Sequence, residues 1–580
     1  MKTNKLILSG VVLFVALVSM TFGKPAAQGI FDYGKIKHVL LLSIDGMHAV
    51  DLYNCVNGVA GANNGNPYCP NLAALSQTGI NYVNTTSSKP SDSFPGITAL
   101  VTGGSPKTTG VYYDVAYDRS LAPPAVTTWT GLAGGTCTPG QLSGTTTDYD
   151  QGIDRDDTAL NGGAPGAAPT EGGVASIDPN RLVRDPSKGC APVYPWDFLR
   201  TNTIFGVVHA ARGYTAWIDK HPSYSVVAGP GGTSVDDLYL PEVDSNVVPL
   251  PGVTTALGVS CASIVDASAL AVPGPWTNSF ANIQCYDALK VGALLNEIDG
   301  KTHNGAPAQM PAVFGMNFQS VYFGQSLNEP NVGVGGYLNA AALPTGELLG
   351  EIEFVDASIG QIVGELQSTG HYEDTLLIIT AKHGESPINT SQYVADGANT
   401  PATLLGTAIP YSESPLNASG IGATEDDVSV LWLAPGASLT AAVALLQQNA
   451  AAIGLGEIFY GPTLALNYNV GGLGPGLDPR SPDIIVTPNL GWTYSSSTSM
   501  VGDHGGFGHD DTNVMLLVAN PRFTAQTVSA PTATAQVAPT IVWALGLDPT
   551  LLDAVRAEGT AVLPEVEEQL IPKYLLPVYY

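Results

Sequence analysis

An α/β fold, with a largely parallel central sheet covered by helices on both faces, is what this 580-residue sequence predicts. Three observations carry that expectation. Short β-branched or apolar runs recur along the chain, helix-like stretches lie between them, and a 44% hydrophobic composition suffices for a large core.

The runs that read as buried strands are HVLLLSID (38–45), AVFGMNF (312–318), DTLLIITA (374–381), VSVLWLA (428–434), DIIVTP (483–488) and NVMLLVA (513–519). They lack polar alternation, as strands buried on both faces do. Helical patterns fall at Gly346–Ser368 and at Ala530–Leu545, the latter around APTIVWAL. Residues 115–200 and 222–310 are rich in Gly, Pro, Thr and Asp and hold four of the six cysteines; they read as insertions in one domain spanning 24–580. GGLGPGLDP (471–479) reads as a turn-rich loop, and no repeat of solenoid or propeller period is present.

The first 23 residues, MKTNKLILSGVVLFVALVSMTFG, combine early lysines, an apolar core and small residues before a cleavage point after Gly23. That is the pattern of a secretory signal peptide and predicts a secreted protein, extracellular or periplasmic. No later stretch is apolar enough to span a bilayer, so no stable membrane insertion is expected after cleavage. The cysteines lie in sequence-near pairs, Cys55/Cys69, Cys137/Cys190 and Cys261/Cys285, and disulfides in that order are expected of an exported chain, although six cysteines allow fifteen connectivities. None shows C-x-x-C spacing, which argues against a thiolate metal site. Sequons at Asn84, Asn389 and Asn417 are compatible with glycosylation.

Net charge is −28 with only 22 basic residues, which argues against a nucleic-acid-binding surface. It does not exclude a small anionic substrate, because a local metal ion or lysine outweighs a distant field.

Ligands of parallel sheets bind beyond the carboxyl ends of the strands, and that rule selects residues. Asp45 ends the first strand in SIDG; Lys382 and His383 follow DTLLIITA in AKHGES; His504 lies in GDHGGFGHDD before NVMLLVA. In KPSDSFPGITALVTGGSPKTTGVYYD (89–114), Ser93 precedes Phe-Pro and a helix-like run. It suits an N-cap, with Pro95 at an early helical position. It also suits a nucleophile held where a helix terminus favours negative charge. A second cluster, AWIDKHPSYSVVAGPGG (216–232), reads either as a strand end with a surface loop or as a source of ligands and substrate contacts through Asp219 and His221, with Lys220 and Tyr224 beside them. His509, Asp510 and Asp511 stand near His504, where Asp511-Thr512 also suits a turn before a strand.

A carboxylate after the first strand, a hydroxyl opening a helix before Phe-Pro, and two His-Gly loops together resemble the alkaline phosphatase superfamily, in its type I phosphodiesterase/nucleotide pyrophosphatase branch. The resemblance runs from about His38 to about Pro549 and is weakest in the insertions. It implies an alkaline-phosphatase-like fold and a metal-assisted hydrolase of phosphate esters acting through a covalent intermediate on Ser93, where the branch usually has threonine. A sulfate or phosphonate ester hydrolase is a close variant, and a binding protein that has lost catalysis is a reading of another class. A Ser-His-Asp esterase is disfavoured because Ser93 lacks a G-x-S-x-G elbow.

The resemblance also implies roles. Asp45, His383 and His504 would ligate metal. The position that holds phosphoryl oxygens through an asparagine is here Asp114. The branch's Asp-His-Gly loop reads Lys382-His383-Gly384, and the aspartate and histidine of its other metal site fall on Asn317 and Val321 in MNFQSVYFG. A lysine about 4 Å from a divalent ion costs roughly 8 kcal/mol at an effective dielectric near 20. One divalent ion, zinc by family, is therefore expected rather than two, with Lys382 donating to a substrate oxygen in place of the lost metal. Asp114 is expected to ligate a cation or pair with Lys382, and Asn317 to contact substrate.

Overall fold

The computed structural model describes residues 36–126, 134–149, 151–168, 171–246, 250–262, 275–408, 424–495, 497 and 499–570. The expected signal peptide and the Asn417 sequon lie outside the described residues. The three expected disulfides, Cys55–Cys69, Cys137–Cys190 and Cys261–Cys285, are formed.

Eight strands form the central sheet: β1 (His38–Ile44), β2 (Gly79–Tyr82), β3 (Ala216–Ile218), β4 (Asp237–Tyr239), β5 (Val313–Phe318), β6 (Thr375–Thr380), β7 (Leu516–Ala519) and β8 (Gln526–Val528), in the spatial order β8-β2-β7-β6-β1-β5-β3-β4. β1 lies at its centre, parallel to β5 and β6, and β3 and β4 continue the parallel run. Only β7 runs against its neighbours β6 and β2. Successive side chains of a strand point to opposite faces. Val39 and Leu41 accordingly enter one core with Ile97 and Ile541, while Leu40 and Leu42 enter the other with Ile352 and Ile359.

Those partners come from the covering helices. On one face lie α1 (Ser93–Thr102) and α5 (Val537–Ala544); on the other lie α2 (Phe280–Ile298), α3 (Ser320–Ser326) and α4 (Gly346–Ser368). α4 spans the sequence-predicted residues and is capped by Thr345, whose side chain accepts from Leu348 N–H. α5 begins seven residues later than the apolar pattern suggests, because Thr534–Gln536 form a 3₁₀ turn first. α2 falls within a segment expected to be loop-rich. Its buried Asn282, Asp287, Lys290 and Glu297 break the apolar periodicity that would have revealed it.

Two expected strands go elsewhere. Ser429–Leu431 and Ile484–Pro488 pair antiparallel in a separate four-stranded sheet with Thr424–Glu425 and Leu455–Tyr460. NVMLLVA splits at Met515: Asn513–Val514 pairs with Thr85–Thr86, and Leu516–Ala519 joins the central sheet as β7. Among the described residues, no helix is long and apolar enough to cross a membrane.

Candidate active site

Strand register gathers the site. Ser43 of β1 pairs with Asn317 of β5 and with Thr380 of β6, and Met316 pairs with Ile218 of β3. The residues just beyond these pairs, Asp45, Gln319, Lys382, His383, Asp219 and Lys220, therefore emerge together at one carboxyl edge. Thr380 lies opposite Leu516, so the segment leading into antiparallel β7 brings His504 to the same edge.

α1 is aimed at this edge. Its N-cap is Asp92, whose side chain accepts from Phe94 N–H at 3.1 Å, and Ser93 is the first helical residue. The expectation that Ser93 caps the helix is thus corrected: the aspartate one residue earlier does so, and the serine hydroxyl is left for other partners. Ser93 Oγ lies 2.9 Å from His383 Nε2 and accepts from Lys220 Nζ at 3.2 Å. The approach of α1 to β6 is tight: a Cβ on Gly96 would fall 2.5 Å from the carbonyl oxygen of Lys382, so glycine is required at that contact.

Beneath the serine, Asp45 is fully buried. Its Oδ2 accepts from Gln319 Nε2 (2.6 Å) and Asn317 Nδ2 (3.2 Å), with Lys220 Nζ and Lys382 Nζ each at 3.5 Å. Burial alone would raise its carboxyl, but Lys382, Lys220 and His383 together hold it well below the usual carboxylate range. Lys382 also pairs with Asp219 Oδ1 at 3.3 Å and sits 4.2 Å from the centre of the Tyr224 ring. Burial pushes its ammonium below the ordinary lysine value, against the pull of Asp219 and Asp45. Asp219 is fixed from behind by Trp217 Nε1 at 3.0 Å. A buried pair from α2 positions Gln319: Lys290 bonds Asp287 (3.0 Å) and the Asn317 carbonyl (2.6 Å), while Asp287 accepts from the backbone N–H groups of Gln319 and Ser320.

His383 has both ring nitrogens engaged. Nδ1 lies 2.8 Å from the Gly384 carbonyl and therefore carries the hydrogen, leaving Nε2 to accept from the Ser93 hydroxyl. Burial, with His504 stacked 4.0 Å away, lowers its pKa to about 3, so the ring is neutral. His504 faces Glu385 Oε2 and Asp92 Oδ2, each at 3.8 Å, and Asp503 Oδ1 at 3.6 Å. Burial pushes the Glu385 carboxyl well above its ordinary value, helped by Asp503 and Asp511; Asp92 is raised by burial and by Asp114, and Asp426 by burial and by Asp503.

These atoms test the metal sites that the resemblance implies. Around Asp45 the fit fails for a metal, because two ammonium groups hold the cationic positions. At Asn317 and Val321 it fails as well: the amide of Asn317 donates to Asp45, and Val321 is buried among apolar side chains. At His504 it succeeds. Ligand atoms of His383, Glu385 and His504 lie within 4.8 Å of one another, and both Glu385 carboxylate oxygens and His504 Nδ1 are buried without hydrogen-bond partners. An imidazole and a carboxylate so placed fit one divalent ion of the zinc kind.

The remaining predicted residues are distributed as follows. Asp114 lines the same cleft, its Oδ1 accepting from Val115 N–H at 2.6 Å. Lys382 pairs with Asp45 and Asp219, which corrects the expected pairing with Asp114. Asp511 accepts from Gly506 and Gly508 N–H groups, Asp510 accepts from Ile388 N–H, and the His509 ring is exposed, so these three shape the turn. Sequence reasoning singled out neither Glu385 nor Gln319, although both stand next to motif residues. Lys220 was noted only as a neighbour of Asp219 and His221. The cleft, about 220 Å³, is lined by Ser93, Asp114, Lys220, His221, Tyr224, Tyr322, His383 and His504, among others.

The sequence profile of the family described as type I phosphodiesterase / nucleotide pyrophosphatase matches residues 39–140 and 344–507. These segments contain Asp45, Ser93, Asp114, Lys382, His383 and His504. No curated protein matches in sequence. Among solved structures, alkaline phosphatase PafA, in a mutant form, is 12% identical with a TM-score of 0.52, covering 89% of this chain and 96% of that one. Murine ectonucleotide pyrophosphatase / phosphodiesterase 5 is 12% identical at 0.49, covering 88% and 96%. Phosphonoacetate hydrolase from Sinorhizobium meliloti 1021 is 14% identical at 0.48, covering 88% and 96%. The likeness to PafA is one of fold.

Proposed function

We propose, from the match of residues 39–140 and 344–507 to the type I phosphodiesterase / nucleotide pyrophosphatase family, that the chain is an exported phosphate-ester hydrolase with Ser93 as nucleophile and with lysines doing part of the electrostatic work of metal. The single observation that carries this reading is the placement of Ser93 Oγ, at a helix N-terminus, between the acceptor His383 Nε2 (2.9 Å) and the cation Lys220 Nζ (3.2 Å).

Ser93 Oγ attacks phosphorus. The Oγ–P bond forms, the P–O bond to the leaving group breaks, and the serine proton passes along its hydrogen bond through His383 Nε2 to the departing oxygen, which leaves as the alcohol. Lys220 stabilises the serine oxygen as it becomes anionic, and the helix N-terminus favours the phosphoryl charge. Water then attacks phosphorus, the P–Oγ bond breaks, and the water's proton returns to Ser93 Oγ by way of His383 Nε2. Asp45 is a fixed counter-charge, 3.5 Å from both ammonium groups, that holds Lys220 and Lys382 in place. Glu385 and His504, with His383 beside them, would hold a divalent ion, which supplies Lewis-acid stabilisation of phosphoryl oxygens when bound. Export is supported by the N-terminal pattern and by the three disulfides.

The test is hydrolysis of bis(4-nitrophenyl) phosphate and 4-nitrophenyl phosphate by the purified chain, wild type against Ser93→Ala, with and without added zinc. The proposal expects turnover that disappears in Ser93→Ala; equal turnover in both would refute it.

A further inference from the structure

A second group of ionisable side chains lies on the far wall of the cleft and has no part in the mechanism above. His221, Glu242 and Asp244 present ligand atoms within 4.8 Å of one another. His221 and Glu242 are buried, and Asp244 is half-buried. A third carboxylate, Asp154, adjoins Glu242: it is 0% exposed, and neither of its oxygens has a donor within hydrogen-bond reach. Burial and the adjacent Glu242, close enough for the two carboxyls to share a hydrogen bond, push its pKa well above the ordinary value. Glu242 and Asp244 thus meet one imidazole, with buried Asp154 against Glu242, an arrangement that needs a shared proton or a cation.

We propose that Asp154, His221, Glu242 and Asp244 form a site for a divalent transition ion of the zinc or manganese class, separate from the group at Glu385 and His504. One imidazole nitrogen with carboxylate oxygens is a donor set suited to such ions. In the structure the His221 Nδ1–H donates to Glu242 Oε1 at 2.7 Å, and the ion takes the place of that hydrogen. The four ligands come from three segments that are already laced together: Glu242 N–H donates to the Leu160 carbonyl (2.7 Å), and Val243 N–H donates to the Lys220 carbonyl (3.1 Å). The ion therefore clamps the backbone of Lys220, whose ammonium reaches Ser93. The clamp's effect on turnover rests on the role given to Lys220 above; ion binding itself does not.

Equilibrium dialysis of the chelator-stripped full-length chain against zinc, with elemental analysis, tests the site. Wild type is expected to bind one equivalent more than Asp154→Asn, and the same equivalent is expected to weaken at least tenfold in Asp244→Asn. Zinc should raise the unfolding temperature of a Glu385→Gln/His504→Ala chain, and adding Asp244→Asn to that chain should abolish the rise. Asp244 is half-buried, so its variant carries the test if Asp154→Asn does not fold. Equal stoichiometry and affinity in wild type and a folded variant would overturn the proposal and assign the Asp154–Glu242 contact to a shared proton. Loss of zinc at this site with unchanged hydrolysis would leave the site standing and overturn only its coupling to Lys220.

Discussion

Lys220 Nζ stands 3.2 Å from Ser93 Oγ and 3.5 Å from Asp45 Oδ2, so one ammonium touches both the candidate nucleophile and the carboxylate that the family resemblance gives to a metal. Lys382 reaches the same carboxylate from the other side. Fixed positive charge aimed at a developing oxyanion is among the strongest electrostatic contributions a protein makes.

Lys220→Met is therefore expected to lower kcat for a phosphodiester by about 10²–10³-fold, the range seen when one preorganised donor is removed. Steady-state kinetics on a folded variant checks this. Wild-type kcat would show that the contact with Ser93 is incidental.

Lys382 has a different burden. It is fully buried between Asp45 and Asp219, and Lys382→Met removes an ammonium from both carboxylates at once, leaving Asp45 with Lys220. Breaking a buried pair this way costs about 3–5 kcal/mol, readable from urea unfolding. Lys382→Asp restores the residue usual in the family's loop and adds a third carboxylate. Its unfolding temperature should rise with added zinc by more than that of wild type does.

The cap assignment separates two neighbouring side chains. Asp92→Ala removes the acceptor for Phe94 N–H and should destabilise by about 1 kcal/mol, while Asp92→Asn, itself a good cap, should lose less. Ser93→Ala removes no cap and should unfold at nearly the wild-type denaturant concentration.

A pH-dependent contribution arises away from the cleft. Arg200 grips Asp478 with two 2.7 Å hydrogen bonds, which outweigh burial and lower the Asp478 pKa to about 2. The folded value lies below the unfolded one of about 3.9, so the pair stabilises the fold above that pH and the gain is lost as pH falls towards 2. Asp478→Asn should cost about 1–2 kcal/mol at neutral pH, allowing for the part-exposed guanidinium, and the difference from wild type should shrink in acid.

Much of the fold was legible because β1, β5 and β6 are buried on both faces and so spell out unbroken apolar runs, while α4 carries a long amphipathic pattern. β3 and β4 were not, being three residues each, too short for periodicity to register. Lys220 gained no role from the sequence, because a strand end followed by Asp-Lys-His reads equally well as the start of a surface loop. The runs at 428–434 and 483–488 were correctly apolar, but apolarity does not say which sheet a strand joins. At the site, Asp45, Ser93, Lys382 and His383 meet because each sits at a strand end or helix start that a motif marks, and His504 joins them from the His-Gly loop that precedes β7. Glu385 and Gln319 carry no motif of their own, and their importance comes from burial and from the partners that folding brings.

The measurement closest to the central claim is intact-mass and peptide analysis of the enzyme acid-quenched during turnover of bis(4-nitrophenyl) phosphate. The account predicts a 4-nitrophenyl phosphoryl adduct in wild type, confined to the peptide that holds Ser93 and absent in Ser93→Ala. Turnover with the adduct on another residue, or undiminished turnover by Ser93→Ala, would contradict it.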